Sequence, residues 1–175
     1  MHYTKVLWAL LLLFSAALPA HESAQIAVYF SPSGGCTEAI VRELDRAHDT
    51  VLVQAYSFTS TPIARALVAA FRRNVKVEVI LDKSQKTEKY SSADFLAHAG
   101  IPTKIDSMHA IAHNKVIIID NEIVLTGSFN FTNAAEAKNA ENLLAIHSRS
   151  LAEEYAKNWR MHAQHSLPYH CKSWN

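Results

Sequence analysis

His113 and Lys115 stand two residues apart at the head of Val116-Ile117-Ile118-Ile119, and Asp120-Asn121 follow at once. A run of β-branched residues favours a strand, and alternation along it puts residues i and i+2 on one face. Asp120-Asn121 reads as a two-residue turn that returns the chain through Ile123-Val124-Leu125. That hairpin would bring Ser128 and Asn130 back beside His113 and Lys115. An imidazole, an ammonium, a hydroxyl and a carboxamide would then share one small area, a combination suited to phosphate. A phosphodiester is anionic and repels nucleophiles, so its cleavage needs local positive charge, a good nucleophile and an acid for the leaving oxygen. The nearby acids, Asp120, Glu122 and Glu141, are too few and too dispersed for a convincing two-metal site. Cationic side chains are therefore expected to stabilise the phosphate, with no metal and no cofactor.

The spacing H-x-K-x4-D-x6-G-S-x-N from His113 to Asn130 resembles the signature of the phospholipase D superfamily. It occurs once, whereas most of that family carry two copies, so the chain is similar to the single-motif bacterial endonuclease branch. Phe30-Ser31-Pro32, Ala55-Tyr56-Ser57-Phe58-Thr59, Ala66-Leu67-Val68-Ala69-Ala70 and Glu141-Asn142 carry the likeness beyond the motif. The resemblance implies a phospholipase D-like fold, a homodimer with one composite site on its two-fold axis, and a covalent phosphohistidine intermediate. His113 would be the nucleophile in one chain and the proton donor in the other. Lys115 and Asn130, assisted by Ser128, would bind the non-bridging oxygens, and Glu141 would accept a hydrogen bond from the imidazole. Asp120, at the turn, is expected to order the hairpin, and Gly127 to allow close backbone approach.

Chemistry alone does not choose the substrate. A nuclease acting on DNA, and on RNA as a further substrate, is the first reading; nothing resembles a base-reading element, so little sequence preference is expected. A phospholipid-cleaving phosphodiesterase and a non-catalytic nucleic-acid-binding relative are the alternatives. Lys plus Arg number 17 against 16 Asp plus Glu, so no global basic field advertises a polyanion, although local patches escape a net count.

Lys5 precedes the apolar stretch Val6 to Phe14, and small residues with Pro19-Ala20 follow. This pattern describes a secretory signal over residues 1–20, with a boundary extending to about 24. It ends too soon for a comfortable span of about 20 apolar residues. A periplasmic or secreted product follows, without stable membrane association once the signal is cleaved, and a retained membrane anchor is the less favoured reading. An oxidising compartment permits a disulfide, and Cys36 and Cys171 are the candidates, with two unpaired thiols as the other reading.

The remaining 24–170 read as one catalytic domain of mixed α/β class, its sheet largely parallel and flanked by helices on both faces. Strands are expected over 25–30, 50–58, 75–81, 103–105 and 141–146. Helices are expected over 37–47, from Thr61 to about Arg73, over 93–99, and from Leu151 to about His165. The β-α-β-α-β order at the start supports parallel pairing. The segment 82–92 reads as a solvated loop whose Lys83, Lys86 and Lys89 could line a groove for a polyanion. The last ten residues read as a loose tail. His109 and His113 have the i, i+4 spacing of a helical metal pair but precede a strand. His162, His165, His170 and Cys171 match no metal motif, so a helix end plus tail is the expectation there.

Overall fold

The computed structural model of the chain describes residues 23–171, so the segment read as a signal lies outside the described residues. The described chain runs β1 (Gln25–Ser31), α1 (Cys36–Arg46), β2 (Thr50–Ala55), α2 (Thr61–Arg72) and β3 (Lys76–Asp82), then a 3-10 turn (Lys83–Lys86) and α3 (Ala93–His98). It continues through β4 (Thr103–Asp106), β5 (Lys115–Ile119), β6 (Ile123–Gly127), α4 (Asn133–Ala137), β7 (Glu141–His147), α5 (Arg149–His165) and β8 (Leu167–Pro168). The strands form one sheet in the order β1-β7-β6-β5-β2-β3-β4-β8.

The mixed sheet matches expectation, but it is mostly antiparallel. Only β2–β3 and β3–β4 pair in parallel; the other neighbouring pairs are antiparallel. The reason lies in β1. It runs in the same direction as β2, as the strand-helix-strand order implies, yet three antiparallel strands (β7, β6 and β5) are inserted between them. The crossover pattern gave the relative direction, and long-range pairing decided the neighbours.

Helices cover both faces. Along β5, Ile117 and Ile119 join the larger core with Ile40, Leu44, Ile63, Leu67 and Leu96 from α1, α2 and α3. Val116 and Ile118 point the other way, into a second core with Ile80, Val124 and the Ala152, Ala156 and Trp159 stripe of α5. Alternation within one strand thus serves two layers. Trp159 also donates its indole N–H to the Val53 carbonyl at 2.8 Å, pinning α5 across the sheet. At the far edge, β1 leaves Ile26, Val28 and Phe30 between 51% and 64% exposed.

Two further expectations change. Cys36 is fully buried at the start of α1 while Cys171 is exposed beyond β8, and both thiols are free. α1 packs against β1 and β7, whereas β8 closes the opposite edge, so the sheet itself separates the two sulfurs. Burial, with Glu136 nearby, pushes the Cys36 thiol up to about 11, which makes it a packing residue rather than a reactive one. The tail is also less loose than expected. Leu167 and Pro168 pair with β4, the Tyr169 amide donates to Thr103 O at 2.8 Å, and its hydroxyl donates to Asp94 at 2.8 Å.

Candidate active site

The end of the sheet where β2 finishes and β5 begins brings the motif together. Lys115 pairs with Ala55, and one step beyond, the Tyr56 amide donates to Asn114 O at 2.8 Å. This places the Tyr56 ring 4.7 Å from the His113 ring and 5.2 Å from the Lys115 ammonium. Lys115 Nζ donates to the His113 carbonyl at 2.9 Å. His113 is exposed while Lys115 is only 7% exposed. An accessible imidazole and a buried cation therefore share one aromatic neighbour. Burial pulls the Lys115 ammonium below the ordinary lysine range, and the charge of Glu141 partly opposes that shift.

The return of the hairpin supplies the neutral groups. Asp120 and Asn121 take φ of 52° and 54°, and the Glu122 amide donates to Ile119 O at 2.9 Å. This is the left-handed pair expected of a type I′ turn. At the other end of β6, Ser128 Oγ accepts from the Asn142 amide at 3.0 Å and its Nδ2 at 3.3 Å, leaving its own proton to donate elsewhere. Asn130 Oδ1 is buried with no hydrogen-bond partner among the described residues, a condition that folded proteins rarely keep without a reason. Glu141 accepts from Asn139 Nδ2 at 3.2 Å, and not from an imidazole among the described residues. The donor set around His113 is cationic and neutral, which suits an anion.

Asp120 lies at the far end of β5 from Lys115, roughly 16 Å away at about 3.3 Å per residue. Its carboxylate accepts from the His48, Asp49 and Thr50 amides and meets His48 Nδ1 at 2.7 Å, tying the hairpin to the start of β2. Gly127 leaves no room for a side chain: a Cβ there would stand 2.3 Å from the Asn142 carbonyl oxygen. Gly127→Ala is therefore expected to cost about 1–3 kcal/mol, read as a lower denaturation midpoint at unchanged m-value.

Three positioning residues escaped the sequence reading. Tyr56 forms a wall for both His113 and Lys115, and Asn142 holds Ser128. Asp82, at the end of β3, accepts from the Ala112 amide at 2.8 Å and from the Ser84 amide at 2.9 Å, fixing the residue just before His113. The start of the segment after it, Lys83–Lys86, is an ordered 3-10 turn, while residues 86–90 are exposed as a solvated loop would be. Gln85 accepts from the Phe58 amide at 3.2 Å, and Lys83 Nζ donates to His109 O at 3.0 Å. Burial alone would raise the Asp82 carboxyl, but the Ser84 and Ala112 hydrogen bonds and the Lys83 charge outweigh it and hold it below its usual value. Its contribution to stability is thus present above the ordinary carboxylate pKa and is lost as pH falls through the depressed folded value. Asp82→Asn is expected to cost about 1–3 kcal/mol, to flatten the acid limb of a stability–pH profile, and to lower kcat more than it raises KM.

Comparison with known proteins agrees with this geometry. Residues 40–162 match the family model described as "Cardiolipin synthase, PLD-like domain". The chain is 46% identical to a protein named phospholipase D from Rickettsia felis, over 77% of this chain and 68% of that protein. It is 34% identical to the mitochondrial cardiolipin hydrolase of Xenopus laevis, of which it spans half the length. The solved phospholipase D family member Nuc from Salmonella typhimurium superposes with a TM-score of 0.81 at 39% identity, over 84% of this chain and 99% of that one. NucT from Helicobacter pylori shares the fold at a TM-score of 0.78 and 22% identity, over 84% of this chain and all of that one. The chain belongs to the phospholipase D superfamily and is a phosphodiesterase of that family.

Proposed function

We propose that the chain is an exported, metal-independent endonuclease that hydrolyses phosphodiester bonds of DNA, and of RNA as a second substrate, through a phosphohistidine intermediate in a site shared by a homodimer. The observation that carries the reading is the exposed His113 imidazole and the buried Lys115 ammonium brought against one Tyr56 ring, with Glu141 the acid whose charge bears on that lysine. The likeness to Nuc from Salmonella, over 84% of this chain and 99% of that one, supports it.

An in-line displacement puts nucleophile and leaving group on opposite sides of phosphorus, so one imidazole cannot serve both. In this reading His113 of one protomer forms the phosphorus–nitrogen bond as the phosphorus–oxygen bond to the leaving group breaks. The partner's His113 gives that oxygen its proton. Now neutral, the second imidazole takes a proton from water, whose oxygen attacks phosphorus and releases the first. Lys115, Ser128 and Asn130 bind the non-bridging oxygens, and their charge and dipoles are fixed before reaction. Lys83, whose Nζ donates to His109 O, adds positive charge beside the loop that leads into His113, whereas Lys86 lies beside Pro168 and Tyr169.

The open face of β1 supports the dimer. Phe30 lies opposite Asn142, and Ser31 opposite Glu141, so the exposed Ile26, Val28 and Phe30 side chains run up to the edge of the site. Covering them contributes on the order of 1 kcal/mol per side chain. Export to the periplasm or medium rests on the sequence of residues 1–20.

A phospholipid substrate is the second reading. The names of the Rickettsia relatives favour it, as do Met108 and Ile111, 70% and 55% exposed on the loop entering His113. Among the described residues no helix is long and apolar enough to cross a membrane. Plasmid DNA, single-stranded RNA and phospholipid vesicles, each assayed with excess EDTA, separate the readings. Nucleic-acid cleavage that persists in EDTA is the expected result. Cleavage of lipid alone would replace the nuclease reading with the second, and activity that vanishes in EDTA and returns with Mg²⁺ would overturn the metal-independent mechanism.

A further inference from the structure

A second cluster of titratable side chains stands where β4 ends, separated from β5 by two strands, or about 14 Å at usual strand spacing. Asp106 is fully buried. Its Oδ2 lies 3.0 Å from His109 Nδ1, 3.0 Å from His162 Nδ1 and 3.2 Å from His165 Nε2. One ligand atom from each of the four residues falls within 4.8 Å of every other. The three rings face one another with centroids 5.0 to 5.3 Å apart. The site described above uses none of these groups.

As a hydrogen-bonded cluster this arrangement is overcrowded. Three imidazole nitrogens converge on Asp106 Oδ2, which has about two lone-pair directions to offer, and Oδ1, 3.2 Å from His109 Nδ1, already accepts from the Met108 amide. Each ring would also have to hold its proton on the inward nitrogen. A cation at the centre removes both difficulties, because neutral rings then present lone pairs and the carboxylate supplies one oxygen. Bonds of about 2.0–2.1 Å give a tetrahedron with edges of about 3.3 Å. The observed nitrogen–oxygen separations of 3.0, 3.0 and 3.2 Å are within a small outward movement of that edge.

The local structure prepares the ligands. His162 and His165 are three apart on α5, so they project from one side of the helix. Asp106 and His109 are three apart across a tight turn. There the Met108 amide donates to Asp106 Oδ1 at 3.0 Å, the kind of outer partner that orients a ligating carboxylate. Three imidazoles and one carboxylate are a donor set for zinc, whereas magnesium and calcium prefer oxygen alone. Four protein ligands close the shell, as in structural rather than catalytic sites. The His109 side chain is 43% exposed against 17% and 21% for His162 and His165, so solvent reaches the centre over His109.

We propose that Asp106, His109, His162 and His165 form a structural zinc site that clamps the loop entering His113 and the end of α5 onto β4. The loop would then be held twice, by zinc at His109 and by Asp82 at Ala112. The ion would order the loop without taking part in cleavage, so zinc content and activity in chelator are separate readouts.

The test uses the untagged full chain, stripped by prolonged EDTA dialysis and titrated with Zn²⁺ alone. One zinc per chain is expected by elemental analysis, with a rise in Tm of roughly 5 °C or more. Co²⁺ in its place should give the visible absorption of a tetrahedral ion. His109→Gln, at an exposed position, should fold, keep the Tm of the stripped parent, and lose most zinc retention and the Tm response. His113→Asn should retain both. Zinc binding that survives in His109→Gln and His165→Gln, or is lost in His113→Asn, would place the ion elsewhere and overturn the proposal. So would a parent chain that takes up no zinc, or takes it up with no change in Tm.

Discussion

In the proposed mechanism His113→Asn lowers turnover by more than about 10⁴-fold, because one substitution removes both the nucleophile and the general acid. Asparagine is close in size, and the His113 ring is exposed, so little packing energy is at stake. The interaction that fixes this residue is the bond from Lys115 Nζ to its backbone carbonyl, which asparagine retains. Thermal stability should therefore change little while activity disappears, and the dimer and substrate binding should survive. A sharper result comes from mixing. If each site needs two histidines, co-refolding equal amounts of parent and variant leaves only the doubly parental dimers active, about a quarter of the total. Independent sites would leave about half. Loss in proportion to the variant fraction would refute the shared site, and substantial activity in the pure variant would refute the nucleophile.

The hairpin was legible because its signals are local. The β-branched run of β5, the left-handed pair Asp120-Asn121 and the fixed spacing to Gly127 lie within eighteen consecutive residues, His113 to Asn130. Period-two alternation and one turn suffice to predict such a unit. The same locality explains the misses. Nothing in Gln25–Ser31 says that it pairs with Glu141–His147, more than a hundred positions later, so the order β1-β7-β6-β5 was invisible and the sheet read as largely parallel. Leu167 and Pro168 are too short a strand to carry a pattern, and their pairing depends on where β4 already stands. Asp82 looked like the start of a polar loop because its partners are backbone amides at Ser84 and Ala112, which leave no mark on composition. The Asp106 cluster was missed for the same reason. Two of its histidines lie 56 and 59 positions from the carboxylate, and i, i+3 pairs are common on any helix. Chemistry assembled within one supersecondary unit shows in sequence, whereas chemistry assembled across the sheet waits for the topology.

Lys115 gives the second large effect, and one with opposite signs in activity and stability. In the proposed mechanism its ammonium faces the phosphate oxygens from a site only 7% exposed, where a fixed charge acts far more strongly than in water. Lys115→Met is expected to lower kcat by about 10²–10³-fold. Lys115→Arg should rescue little, because a planar guanidinium does not reproduce the compact point charge of a buried ammonium. Burial makes the folded-state pKa lower than that of a free lysine, with Glu141 opposing the shift only in part. On raising the pH the folded protein therefore loses this proton first, and activity should fall on an alkaline limb below the ordinary lysine range. Stability moves the other way. Across the window between the folded value and the ordinary one, the unfolded chain binds more protons, so unfolding free energy rises with pH as the cost of burying the charge is relieved. Methionine removes that cost at every pH. The variant should be as stable as the parent, or more so, at neutral pH while being nearly inactive, and its stability should lose the alkaline rise. A merely structural lysine would give the reverse, with stability falling on substitution and the residual activity tracking the folded fraction. Denaturation curves and pH–rate profiles on the same two proteins decide between them.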